Sequence, residues 1–355
     1  MIEIRNMEKT KFRTFGWVQN CSNFSELCDV VSIFNEKTKI YKELLNKKIS
    51  ENIEEKDGRE RLINSLKIKP LKLKYIDLVG TSFKPRSSAR CNGIVQAIIK
   101  GQQKSFTDNW TADNYIRWAN CLGFLNYNYS DDTFEITEKG LKYTESEDDA
   151  EKNKILEDAF LSYPPVIRIL TLLENGQVKT KFELGKNLGF VGEGGFTSIP
   201  QDVFIMTLAS IKDVKKRNKL KTDAEGSSDK YARMIANWLT KVGWLKKVSK
   251  NVSVKMGNES YSENILSYVI TIDGIKALNK ARGRSKYRKI PKNVSWEMLA
   301  TKGNDREYIR TRRACIIKIL VENKNGVSLE EIRDILEMQY RMSELFTVVE
   351  DDIQG

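Results

Sequence analysis

WLTKVGWL, residues 238–245, decides how the rest of the chain is read. Its tryptophan, its glycine and the apolar residues around them recur earlier as WANCLGFL, residues 118–125, so that both copies obey W-x-x-x-[LV]-G-[FW]-L. After inserts of different length comes a second shared string, FEITEKGLK at 134–142 and YVITIDGIK at 268–276, or [FY]-x-I-T-x-x-G-[LI]-K. A helix ending at Gly123 or Gly243, where left-handed backbone costs least, accounts for the first string. A strand, a polar turn and a returning strand with alternating residues account for the second. A helix followed by a two-stranded ribbon is the second half of a winged helix. Trp118, Trp238, Ile136 and Ile270 fall at core positions of that unit.

The first half of the unit also repeats. PPVIRILTLLENGQVKTKFELGKNLG, residues 164–189, reads as an apolar helix, a glycine turn at Gly176 and a second helix. That second helix opens at Thr180 with Glu183 three residues on, a capping box. RACIIKILVENKNGVSLEEIRDIL, residues 313–336, does the same with Gly326, Ser328 and Glu331. This is helix-turn-helix organisation. The chain therefore reads as mainly α with small β wings, in three consecutive winged-helix subdomains. The first spans 1–147 and carries an N-terminal arm, the second spans 148–285, and the third spans 286–355. Wings are expected at about 125–138 and 245–272. The third unit ends at DDIQG without its wing, which marks it as incomplete or cut short.

Bulk composition narrows the chemistry. With 355 residues, 40% hydrophobic and 30% charged, the chain can bury real cores. No apolar run approaches the roughly 18 residues that would span a membrane, and the N-terminus lacks the apolar region of a signal peptide. Five scattered cysteines without a CxxC pair argue against a disulfide framework or zinc site and for a reducing cytoplasm. There are 0 histidines, which excludes His-based triads, HExxH metal sites and imidazole acid–base chemistry. A net charge of +12 fits a polyanionic partner or a soluble basic surface.

EGSSDKYARM, residues 225–234, lies between the second unit's helix-turn-helix and its wing, where the third, recognition helix belongs. Ser227 or Ser228 can cap it, and Asp229 suits its positive end. Lys230 and Arg233 share a face, although cations at a helix start oppose the dipole. In a lone helix they would read as a solvated start. A recognition helix, however, aims its first turns at base edges. There Lys230 can donate to guanine O6 and N7, Glu225 can accept from cytosine N4, and Arg233 suits a phosphate or a base.

RTFGWVQN (13–20), SYPPVIRILTLLENGQ (162–177), TKFELGKNLGFVGEGGFTSIP (180–200), EGSSDKYARMI (225–235), WEMLAT (296–301) and EYIRTRRA (307–314) together resemble the DNA-recognition half of FokI-like type IIS restriction endonucleases. The similarity covers nearly the whole chain, in order. It implies that three winged-helix subdomains read an asymmetric GGATG-like site on double-stranded DNA, as one chain on one site, in the bacterial cytoplasm as part of a restriction-modification system. A separate C-terminal nuclease domain, held by the third subdomain, would cut with Mg²⁺. By position, the resemblance makes Gln19 and Asn20 base-contacting, unless Phe15 and Trp17 merely tack the arm down. It makes Arg86 in VGTSFKPR a guanine or phosphate reader, Gln102 in IIKGQQ a base contact and Trp110 in DNW a partner of a thymine methyl. Glu225 and Lys230 fall on cytosine and guanine readers. Thr222 stands where the family has asparagine, and its hydroxyl makes one bond where an amide makes two.

The nearest approach to a metal-nuclease motif is Pro200-Gln-Asp202 with Asp213-Val-Lys215, in which proline and aspartate are not adjacent and IKDVKKRNK reads as a charged loop. No catalytic residue, metal ligand or cofactor is therefore assigned to this chain. Two other readings stand beside the resemblance. A winged-helix transcription regulator would usually dimerise on a palindrome, whereas a complete nuclease with an unrecognised site would cut by itself.

Overall fold

The computed structural model describes residues 18, 21–54, 56–80, 92–103, 108–128, 131–187, 200–223, 227–282, 316–323, 325–328, 331–332 and 334–335. They form two compact units, one made of the described residues up to Ala159 together with those from 316 onward, the other of those from Phe160 to Arg282.

The first unit runs through helices α1 (Phe24–Ser32), α2 (Lys39–Glu43), α3 (Ile49–Asn52) and α4 (Lys56–Lys67), with a π-helical turn at Leu44–Lys48. Then come β1 (Leu73–Lys74), α5 (Tyr75–Val79), α6 (Ile94–Ile98), α7 (Trp110–Cys121), β2 (Leu125–Asn128), β3 (Thr133–Ile136), α8 (Glu138–Glu145) and α9 (Asp149–Leu161). The antiparallel sheet has the order β1-β3-β2, with Leu125 opposite Ile136. Trp118 is fully buried between the rings of Phe24 and Tyr115, each 6.0 Å away.

The second unit contains α10 (Pro164–Leu172), β4 (Lys179–Thr180), α11 (Lys181–Asn187), α12 (Gln201–Ser210), α13 (Val214–Asp223), α14 (Ser227–Lys241), β5 (Leu245–Met256), β6 (Glu259–Ile270) and α15 (Ile272–Arg282). Its sheet order is β4-β6-β5. The expected capping box is present: Thr180 N–H donates to Glu183 Oε2 at 2.6 Å, and Glu183 N–H donates to Thr180 Oγ1 at 3.1 Å. Gly176 takes φ 71°, in the turn before it. Trp238 stacks on Phe160 at 5.8 Å and meets Tyr163 at 6.3 Å, the counterpart of the core around Trp118.

The two repeated strings form one device. Gly123 and Gly243 end α7 and α14 at φ 75° and 77°. From the second string, Thr137 N–H donates to Phe124 O and Thr271 N–H to Trp244 O, both at 3.0 Å, closing each wing. The same threonine hydroxyls donate back to Gly123 O at 2.6 Å and Gly243 O at 2.7 Å. They also accept from Gly140 N–H and Gly274 N–H, both at 3.0 Å, capping α8 and α15. Gly140 and Gly274 have no alternative residue, because a β-carbon there would overlap the carbonyl oxygen of Phe124 or Trp244. One threonine and one glycine thus lock α7 or α14, the wing and the following helix together.

Two features differ from the sequence reading. Helices α12 and α13 stand between the helix-turn-helix and α14, and the lysine-rich stretch expected to be a loop at 214–221 is helical. Asp213 caps α13 by accepting from Lys215 N–H at 2.8 Å and Lys216 N–H at 3.1 Å. Leu220 packs on Phe182, Phe204, Ile205, Leu208 and Ile265, so a single apolar contact orients a helix that composition marks as polar. Of the third subdomain expected from the sequence, a helix at 316–322 buries Ile316 and Ile319, Gly326 has φ 89°, and Ser328 and Glu331 exchange hydrogen bonds at 2.8 and 3.2 Å. The capping box expected there is present; the rest of that unit lies outside the described residues.

Candidate nucleic-acid interface

The second unit's site is built on α14. Tyr231, Ala232, Ile235, Trp238 and Leu239 are buried, at the spacing of one helical stripe. The Tyr163 and Tyr231 hydroxyls share a hydrogen bond at the base of that stripe. Asp229, in the first turn, is also buried and lies against Gly185 of α11, where a β-carbon would overlap its carboxylate. With Asp229 turned inward, its neighbour Lys230 is left exposed, while Arg233 is half-buried. Thr222 lies in the last turn of α13, and Glu225 falls outside the described residues, as do Gln19, Asn20 and Arg86.

In the first unit, α7 is the counterpart of α14, and Trp110, its first residue, keeps 40% of its surface exposed. Its N–H donates to Asp108 Oδ1 at 3.1 Å, and its carbonyl accepts from Asn114 Nδ2 at 2.7 Å. Eight residues separate Trp110 from buried Trp118 and Lys230 from buried Trp238, so both occupy the same helical position in their units. Gln102 is half-buried in the segment before α7. That segment is braced by amides that sequence reasoning passed over. Gln96 accepts from Gly93 N–H at 3.1 Å and donates to Asp108 O at 2.9 Å, while Gln103 donates to Gln96 O and Ile99 O, both at 2.7 Å.

On the buried side of α7, Arg117 grips Asp113 one turn earlier with two hydrogen bonds of 2.9 and 3.0 Å, and Tyr75 of α5 donates to the same carboxylate at 2.8 Å. Burial, reinforced by Asp113, pushes the Tyr75 hydroxyl far above the usual tyrosine range, so it remains a donor. A pair this buried gains geometry more than net stability, because desolvation offsets much of its attraction. Both partners belong to α7, so the pair braces the helix internally, and the Tyr75 hydroxyl ties the shared carboxylate to α5.

The stretch that most nearly resembles a metal-nuclease motif has another role. Asp202 lies in the first turn of α12, and Asp213 is engaged in capping α13. Those carboxylates do not fit a Mg²⁺ site. Among the described residues no three His, Cys, Asp or Glu side chains gather as a metal group, and no helix is long and apolar enough to cross a membrane.

Two winged units, each with an exposed side chain at the start of the helix that leads into its wing, define a chain of recognition subdomains. Comparison with known families agrees. Residues 13–146 match the model of FokI recognition domain subdomain 1, residues 152–286 that of subdomain 2, and residues 299–355 the FokI D3 domain. The chain belongs to the family of FokI-like type IIS recognition domains. It is 43% identical over 351 residues to the type II restriction enzyme FokI of Planomicrobium okeanokoites, covering 98% of this chain and 60% of the relative. It is 32% identical over 342 residues to the type II restriction enzyme StsI of Streptococcus sanguinis, covering 93% and 56%. A solved structure of restriction endonuclease FokI bound to DNA matches with a TM-score of 0.76 at 42% identity, over 97% of this chain and 60% of that one. The chain thus spans about three fifths of the length of these relatives.

Proposed function

We propose that this chain is the DNA-recognition part of a type IIS restriction endonuclease and that it reads an asymmetric, GGATG-like site on duplex DNA as a single chain. The observation that carries the reading is the exposure of Lys230 at the start of a helix whose other anchors all turn inward. A cation there opposes the helix dipole by about 0.3–1 kcal/mol. A good hydrogen-bonded contact to guanine contributes roughly 1–3 kcal/mol of discrimination, enough to outweigh that cost. Asp229, in the same turn, offsets part of it. Trp110 at the matching position of α7 offers an apolar face for a thymine methyl, and the +12 net charge supplies attraction to phosphates. Gln19, Asn20, Arg86, Gln102, Thr222, Glu225 and Arg233 complete the proposed reading set.

Strand hydrolysis is assigned to a C-terminal nuclease domain, which would hold the Mg²⁺ and which the third subdomain would bear. Base reading by amide, carboxylate, ammonium and indole groups needs no metal. A mobility-shift assay on a single-site duplex tests both halves. Binding should persist in EDTA and fall steeply with salt, and adding Mg²⁺ should produce no strand scission. Mg²⁺-dependent cutting that co-purifies with the protein would overturn the recognition-only reading, as would indifference to sequence.

A further inference from the structure

Gln96 sits in α6 with 1% of its surface exposed, and its side chain and backbone are both engaged. Its amide oxygen accepts from Gly93 N–H at 3.1 Å, and its amide nitrogen donates to Asp108 O at 2.9 Å. Its backbone carbonyl accepts from Gln103 Nε2 at 2.7 Å. The Gly93 end of this bridge is closely packed. A β-carbon at Gly93 would lie 2.5 Å from Leu78 O, in the last turn of α5, so that segment and α6 meet backbone to backbone. A methionine would fill nearly the same space as Gln96, so what the amide adds is a hydrogen bond at each end. Loss of either bond leaves a buried group unpaired, which holds the bridge to one geometry.

The segments tied to Gln96 carry two members of the reading set. On one side, Gln103 Nε2 also donates to Ile99 O at 2.7 Å, Gln102 N–H donates to the same carbonyl at 3.3 Å, and Gly101 turns the chain at φ 78°. Gln102 therefore belongs to a tight turn pinned to the end of α6. On the other side, the residue whose carbonyl Gln96 holds is Asp108, and Asp108 Oδ1 accepts from Trp110 N–H at 3.1 Å. That bond caps the first turn of α7, two residues from the held carbonyl. The core around Trp118 anchors the body of α7 about two turns further on. One buried glutamine thus fastens both places from which these two side chains start. Base-reading groups need to be held within about 0.5 Å of their working geometry.

We propose that Gln96 is a positioning residue for DNA reading by the first unit. Without contacting DNA, it holds the Gln102 turn and the first turn of α7 in one fixed relation, and so determines discrimination at the base pairs that Gln102 and Trp110 read. This role rests on the DNA-reading function proposed above. Gln103 serves one half of it, because its amide closes only the Gln102 turn.

The test is a competition-binding profile of the chain against duplexes carrying each single base-pair change in its preferred site. Gln102→Ala, Trp110→Ala and Lys230→Ala first mark the pairs that each side chain reads. Gln96→Met should then reduce discrimination roughly tenfold at the Gln102 and Trp110 pairs and leave the Lys230 pair unchanged. Combined with Trp110→Ala, it should add little at the Trp110 pair, because both changes remove one contact. Gln103→Met should lose discrimination at the Gln102 pair alone, and it carries the test should Gln96→Met fail to fold. A wild-type chain with no sequence preference would overturn the functional reading itself. A wild type that discriminates, with Gln96 and Gln103 variants that keep its full profile or lose discrimination equally at every pair, would overturn the role of Gln96 alone. So would Gln102→Ala and Trp110→Ala variants that discriminate as wild type does.

Discussion

The carboxylate of Asp229 occupies the space that a side chain at Gly185 would need. Because α11 is glycine at that point, α14 can approach it closely enough to bury the acid and to turn Lys230 outward. Gly185→Ala should therefore destabilise the chain by about 1–3 kcal/mol, although alanine is the better helix former. A urea titration measures it, and a variant as stable as wild type would show that α14 does not depend on this contact.

Lys230→Ala should lose roughly 1–3 kcal/mol on the preferred duplex and relax discrimination at one guanine. Lys216→Ala, on the exposed face of α13, should weaken binding to all sequences alike and lower the salt slope by about 0.9. Titrations at several salt concentrations separate the two outcomes. Equal effects of both changes on specific and random DNA would remove Lys230 from the reading set.

Trp110 and Trp118 lie on one helix and should behave oppositely. Trp118→Ala empties a fully buried position beside Phe24 and Tyr115 and should cost about 3–5 kcal/mol of stability. Trp110→Ala, at a partly exposed helix start, should leave the urea midpoint nearly unchanged while weakening binding to duplexes with a thymine at the matching position. A large loss of stability at Trp110 would make it a packing residue.

The threonine–glycine lock should be visible in stability as well. Thr271→Val keeps the shape but removes both the α15 cap and the bond to Gly243 O, for a loss of about 0.5–2 kcal/mol. Gly274→Ala should cost about 1–3 kcal/mol through overlap with the Trp244 carbonyl. The equivalent changes at Thr137 and Gly140 should give similar values, since the hydrogen bonds match to within about 0.1 Å. Thermal melts of the four variants check the parallel.

Much of this architecture is written in short-range signals. The capping boxes at Thr180–Glu183 and Ser328–Glu331 are legible because both partners lie within one helical turn. The glycine helix ends are legible because φ near 75° selects that residue type. The paired strings that define the wings announce themselves by repetition, and they place Lys230 in the helix that leads into the second wing. The sequence by itself thus determined the fold class, the two wings, the helix-turn-helix halves and the presence of a cation in the first turns of α14. Each of these comes from residues within a few positions of one another or from a string that occurs twice.

Only the tertiary structure decided the rest. The stretch at 214–221 looks like a loop because its charge hides one leucine, and it becomes a helix when Leu220 finds an apolar cluster and Glu263, 42 residues away, takes up Lys221. The reason Gly140, Gly185 and Gly274 must be glycine is likewise invisible along the chain. It lies in a carbonyl or a carboxylate brought from a distant segment to within one atom's width. Asp229 reads as a favourable charge at a helix start, and it is instead the inward anchor that leaves Lys230 outside. Local strings specify which elements form; which side chains remain available to a partner depends on long-range packing, because burial is a property of neighbours that the sequence does not place side by side.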